Sequence, residues 1–299
     1  MHDVVIVGGG PAGCAAGLYA ARAGLRTLVL TGSEPGGQLS AAEMVENYPG
    51  AGARGGAELA EDMRRDAERA GAEFRGERAA EVCLRKRSVR TGQGVYQGGA
   101  LIYAAGASPR GLGIPGEEAM RGRGVSWCAA CDGAFFKGKD VAVVGGGSSA
   151  VSAALTLSRL CRRVYLLHRR DTLRAERRLT ERLEEAHNIT FLRNVQAAAI
   201  LGTGAVTGLA YRELPGGARR ELPCSGVFIA AGRKPNTELL RGQIELDAAG
   251  YLPADETTGT AIPGVFVAGD VRTKAVRQVV TAVADGAVAA LMAARFLEA

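Results

Sequence analysis

One pattern occurs twice in this chain and limits its folding more than any other. Residues 3–7 (DVVIV) make a short apolar run, followed by GGGPAG, the helix-prone stretch CAAGLYAARAG and a second apolar run, TLVL. Residues 140–144 (DVAVV) repeat the order with GGGSSA, VSAALTLSRL and VYLLH. Each reads as strand, glycine turn, helix, strand, and strands joined through a helix lie parallel with a right-handed crossover. An α/β chain with two such units is the expectation.

A second echo sets the order of the parts. ALIYAAGASPR (100–110) and GVFIAAGRKPN (226–236) are both apolar strands that end in Ala-Ala-Gly and then meet a proline. A strand of that kind closes one nucleotide-binding half and leaves it through a stiffened linker. A third version, GVFVAGDV (264–271), lies near the C-terminus. The second unit, 112–242, is therefore expected as an insertion into the first. Residues 1–111 and 243–299 would form one discontinuous domain, hinged at ASPRGLGIPG and GRKPNTELL. The 299 residues suit two domains of ordinary size.

The glycines explain what the two units would bind. In Gly8-x-Gly10-x-x-Gly13 the first glycine makes a tight turn, the second admits a pyrophosphate and the third lets helix pack on strand. The phosphates would rest on backbone N–H groups at the start of the helix, where Pro11 and Ala12 stand. Gly145-x-Gly147-x-x-Ala150 repeats the motif, with Ser148 and Ser149 opening its helix, so two dinucleotides are implied. Glu34 lies about twenty residues beyond Gly13, where a carboxylate takes a ribose hydroxyl. After the second unit, HRRDTLRA puts His168, Arg169, Arg170 and Arg174 where an acidic residue would select NAD. Guanidinium groups there favour a 2′-phosphate, hence NADP(H). In a flavoenzyme with two dinucleotides, the strand ending in Gly269-Asp270 would close over the flavin. Asp270 would accept a ribityl hydroxyl, with Arg277, Gln278 and Val279 following near the isoalloxazine.

Cys128 and Cys131 form the one C-x-x-C in the chain, with Asp132 directly behind. Zinc needs four ligands, and no second pair or His pair accompanies these, so no metal is expected. The N-terminus enters a strand without a charged-then-apolar leader, and no uncharged apolar run reaches the length of a membrane span. A cytoplasmic protein with no membrane partner is the reading, and disulfides there are usually transient and catalytic. That leaves a dithiol cycling with a disulfide, Asp132 supplying or removing the proton. Cys14, Cys83, Cys161 and Cys224 stand alone and read as buried thiols. The net charge of +6 does not indicate nucleic acid, because the basic residues are interleaved with Glu as on solvated helix faces.

GGGPAG, PGGQL, ENYPG, CAACDGAFF, GGGSSA, HRRDTLRA, GRKPNT and VFVAGDV…RQVVTA follow one another over essentially the whole chain. In that order and spacing they resemble low-molecular-weight thioredoxin reductase. The resemblance implies two Rossmann-like domains, FAD on the discontinuous one and NADPH on the inserted one. It also implies a homodimer that reduces thioredoxin or a thioredoxin-like protein. Gly8, Gly10, Gly13, Glu34, Gln38, Asn47, Gly106, Asp270 and Gln278 match its FAD-contacting positions, and Gly37, Leu39 and Ala105 lie in the same motifs. Arg169, Arg170 and Arg174 match its 2′-phosphate clamp. Cys131 matches the thiol that takes electrons from the flavin, Cys128 the one that attacks the partner disulfide, and Asp132 the acid. Because the dithiol and the nicotinamide site share one domain and one flavin, that domain is expected to rotate between half-reactions.

Three departures from the usual pattern stand out: Ser148 for Asp or Asn, Ser152-Ala153 for an acidic pair, and Cys-Ala-Ala-Cys for Cys-Ala-Thr-Cys. The first two bear on donor affinity. They leave room for a related reductase or oxidase that uses ferredoxin as donor or oxygen as acceptor, against which the arginine trio argues. A peroxide-reductase subunit would want an extra N-terminal thiol domain, and a non-catalytic flavin protein would not need the Cys128–Cys131–Asp132 set.

Overall fold

The structure is a computed structural model. It describes residues 2–33, 35–42, 45 and 47–298, with the side chains of Ala130 and Cys131 outside the description. The chain divides into two compact units: residues 1–108 with 234–299, and residues 109–233.

The first unit opens with β1 (His2–Val7), α1 (Pro11–Arg22) and β2 (Thr27–Leu30), then α2 (Gly56–Arg69) and β3 (Glu73–Arg75). β4 (Glu81–Cys83), β5 (Ser88–Arg90) and β6 (Val95–Tyr103) follow, and β7 (Ala107–Pro109) leads out. β3, β2, β1 and β6 lie side by side in parallel, with β5 and β4 added antiparallel beyond β6. Val4–Val7 and Thr27–Leu30 are buried throughout, as expected of parallel strands covered on both faces.

The second unit contains β8 (Val125–Ser126), α3 (Ala129–Asp132), β9 (Asp140–Gly145), α4 (Ser148–Ser158), β10 (Arg163–Leu167), α5 (Arg177–Glu185) and β11 (Ile189–Leu192). β12 (Val195–Gly202), β13 (Val206–Glu213), β14 (Arg219–Pro223) and β15 (Gly226–Ala230) complete it, and β16 (Arg233–Pro235) leads back. Five strands form a parallel sheet in the order β11-β10-β9-β15-β8, while β12, β13 and β14 make a separate antiparallel sheet. The two crossings, β7 and β16, pair with each other.

On its return the chain adds β17 (Val265–Val267) parallel to β6 and ends in α6 (Val279–Glu298). α6 is long and apolar enough to cross a membrane by length and composition. Its small residues Ala282, Ala289, Ala290 and Ala293 are buried, however, in the cluster that holds Ala12, Ala16 and Ala20 of α1, and Gly286 is buried with them. The contact is so close that a Cβ on Gly286 would overlap the Ala12 carbonyl.

The division of the chain differs from the expected 112–242 insertion at its second crossing, which lies at 233/234. Packing explains the shift. Leu240 is fully buried in one cluster with Val5, Leu28 and Val82 of the first unit. The Gln243 side chain accepts from Leu84 N at 2.9 Å and donates to Val82 O at 2.7 Å.

Candidate active site

In the first unit the chain leaves β1 at Val7, turns through Gly8–Gly10 and enters α1 at Pro11, whose missing N–H costs nothing at a helix start. A Cβ on Gly8 would overlap the Ala104 carbonyl oxygen, and one on Gly13 the Gly8 carbonyl oxygen. Gly10 differs, because the nearest atom to its added Cβ would be Gly36 O at 3.8 Å. The first and third glycines are thus held by packing while the second faces room, which is the fit a pyrophosphate requires. The Gly36–Gly37 loop lies against this turn, Gly36 N donating to Gly9 O at 3.0 Å. Next to it, Cys14 is buried with its thiol 3.5 Å from Gly9 O, and burial pushes that thiol up to about 12. It is an unreactive group at pH 7.

Other expected flavin residues gather around this turn. Gly269 approaches Ala12, its added Cβ falling 2.8 Å from the Ala12 Cβ. Asn47 Nδ2 donates to Gln278 Oε1 at 3.1 Å, and the Gln38 amide donates to Ala107 O. Leu39 and Val279 share one apolar cluster with Val45 and Leu59, so their side chains serve packing. Arg277 stacks 4.0 Å from the Tyr251 ring centroid and donates to Asp270 O at 3.4 Å and Arg272 O at 3.3 Å. Glu34 lies outside the described residues.

Two supports of this turn escaped the motif reading. Asp285 of α6 accepts from Gly269 N at 3.0 Å, Arg272 at 3.0 Å and Lys274 at 2.6 Å, nearly buried with both cations. An ion cluster that removed from water holds its segment firmly, because losing one member strands the others. Asn236 uses all its polar groups on the stretch after β6. Its N donates to Gly106 O at 3.0 Å and its Nδ2 to Ala105 O at 2.8 Å. Its Oδ1 accepts from Ser108 at 2.7 Å and its carbonyl from Tyr103 at 2.8 Å. The only sequence signal for Asp285 was one carboxylate inside an apolar helix.

The second unit builds the same device with different side chains. A Cβ on Gly145 would overlap the Ala230 carbonyl oxygen, whereas one on Gly147 would meet nothing within 4 Å. Ala150 takes the place of the third glycine and is fully buried. The His168 ring lies over Gly146 so closely that a Cβ there would overlap it. His168 is 6% exposed, and its Nε2 has no partner among the described residues. Burial, and then the charges of Arg174, Arg169 and Arg170, lower its pKa, so the ring is neutral. The three arginines are exposed and no ion pair holds them among the described residues, unlike Arg162 on Asp140 or Arg64 on Glu61. Arg174 is placed by its backbone: its N donates to Gly146 O at 2.7 Å, and it bridges to Gly147. Ser149 is exposed at the start of α4.

Cys128 follows β8 on the same sheet. Its N donates to Ser126 Oγ at 3.0 Å, and the hydroxyl donates back to Cys128 O at 3.2 Å. Asp132 N closes the single turn of α3 onto Cys128 O at 3.1 Å. Cys128 is disulfide-bonded, whereas Cys14, Cys83, Cys161 and Cys224 are free thiols. The side chain of Cys131 lies outside the described residues. Since β8, β15 and β9 run parallel, the disulfide and the Gly145–Gly147 turn both leave the carboxyl edge of one sheet. Open α/β sheets bind their ligands at that edge.

Two glycine turns shaped for pyrophosphates, one sharing its sheet edge with a disulfide, place the molecule among enzymes that pass electrons between a pyridine nucleotide and a disulfide. The pyridine nucleotide-disulphide oxidoreductase family model matches residues 2–286, and the chain belongs to that family. It is 45% identical to a thioredoxin reductase of Mycolicibacterium smegmatis over 99% of this chain and 97% of that one. It is also 45% identical to a bifunctional thioredoxin reductase/thioredoxin of Mycobacterium leprae, over 99% of this chain and 66% of that one. The crystal structure of Lactococcus lactis thioredoxin reductase superposes with a TM-score of 0.92 at 38% identity, covering 100% of this chain and 99% of that one.

Proposed function

We propose that the chain is an NADPH-dependent thioredoxin reductase, working as a cytoplasmic homodimer. FAD would lie against the Gly8–Gly13 turn and NADPH against the Gly145–Ala150 turn. The flavin, when bound, supplies the step from two-electron hydride chemistry to thiol chemistry.

This chain's residues do the rest. Gly10 and Gly147 leave room for the pyrophosphates, and Arg169, Arg170 and Arg174, unpaired among the described residues, offer guanidinium forks to a 2′-phosphate. With the Cys128–Cys131 pair reduced, the Cys128 thiolate attacks one sulfur of the thioredoxin disulfide and expels the other as thiolate, which takes a proton from Asp132. The Cys131 thiolate then attacks Cys128 Sγ, closing the pair and releasing the second thioredoxin thiol. Ferredoxin is not favoured as donor, because the free arginine trio has no use in such an enzyme. The disulfide and the nucleotide turn belong to one unit, so serving one flavin with both requires residues 109–233 to turn about the crossings between half-reactions.

The observation that carries this reading is the bonded Cys128 at the same sheet edge as the Gly145–Gly147 turn. Anaerobic mixing of the yellow protein with NADPH should bleach the flavin band, and oxidised thioredoxin should restore it. A charge-assisted contact to the 2′-phosphate contributes about 1.5–3 kcal/mol, so losing even one should make NADH at least about tenfold to a hundredfold less effective. Bleaching by reduced ferredoxin but not NADPH would reject the donor, and no recovery with thioredoxin would reject the acceptor.

A further inference from the structure

Among the described residues the side chain of Ser148 makes its hydrogen bond outside the glycine turn. Its Oγ accepts from Glu176 N at 3.1 Å, across 28 residues of sequence. Two positions earlier in each strand of the contact, Gly146 O accepts from Arg174 N at 2.7 Å. These two bonds, one made by Arg174 itself and one two residues beyond it, clasp the Arg174 loop to the turn. On either side of Arg174, Leu173 and Ala175 pack against the core cluster around Val151 and Leu166, while Arg174 is exposed. The clasp therefore sets where that guanidinium stands relative to the open space over Gly147.

We propose that Ser148 is a positioning residue for recognition of a nucleotide 2′-phosphate, acting through Arg174 and not by touching the nucleotide with its hydroxyl. The inference rests on the reading of this turn as the NADPH site. It also gives a use to the serine at which this chain departs from the common Asp or Asn. The hydroxyl reaches the loop backbone, while the Ser148 backbone N–H, free of side-chain identity, remains available at the start of α4.

Calorimetric titration of the flavin-loaded full-length protein with 2′,5′-ADP and with 5′-AMP tests this. The wild type should prefer 2′,5′-ADP. In Ser148→Ala the affinity for 2′,5′-ADP should fall about threefold to tenfold, the effect of one neutral hydrogen bond, with 5′-AMP affinity unchanged. Ser148→Thr, which keeps the hydroxyl, should restore the preference. Equal 2′,5′-ADP affinity in wild type and Ser148→Ala would overturn the positioning role. Equal losses for both ligands would overturn it too, by assigning the hydroxyl to the turn itself. A wild type with no preference for 2′,5′-ADP would instead overturn the NADPH reading beneath it.

Discussion

His168 shows how one residue registers the chemistry around it. Its ring is packed against Gly146 and buried, and it faces the charges of Arg174, Arg169 and Arg170, and burial and then those charges disfavour the imidazolium. The folded pKa is lowered from 6.5, so the unfolded chain binds the proton more readily. The stability tied to neutral His168 is complete above about 6.5 and is lost as pH falls through the folded pKa. Carboxylates such as Asp3, held at about 2 by its hydrogen bonds from Arg26, enter only at lower pH. Melting temperature should therefore decline as pH falls below about 6.5 in the wild type, and the slope should flatten in His168→Asn. Equal slopes would show that this imidazole is not the group that titrates.

At the scale of elements, each glycine turn holds glycines fixed by close packing beside one that faces open space. In Gly13→Ala the new methyl meets the Gly8 carbonyl, backbone against backbone, with nothing flexible to yield. About 1–3 kcal/mol or more should be lost, lowering the melting temperature by several degrees. In Gly147→Ala the methyl enters open space, so stability should barely change while NADP(H) affinity falls at least about tenfold. Calorimetric binding beside thermal melts distinguishes them, and a Gly147→Ala protein with normal affinity would show that the phosphates lie elsewhere. The close packing of Gly8, Gly13 and Gly145 was legible in the sequence because glycine spacing encodes local backbone approach. Asp285 was not, since its partners Arg272 and Lys274 come from a loop whose path no spacing reveals. The sheet of β12, β13 and β14 was equally hidden, since β12 (VQAAAILG) is rich in alanine with little polar alternation.

For the molecule as a whole, the repeated units and their nesting could be read before the structure, whereas the second crossing could not. Nothing in GRKPNTELL marks where one core ends, and burial of Leu240 with Val5 and Leu28 decides it. What the whole chain must do is hold two redox pairs, a flavin and the Cys128 disulfide, within one polypeptide. Counting electrons tests that directly. Anaerobic titration of the flavin-loaded protein with dithionite should consume about four electrons per chain, two for each pair, and about two in Cys128→Ser. A wild type saturated by two electrons, or a Cys128→Ser protein that still takes four, would contradict it.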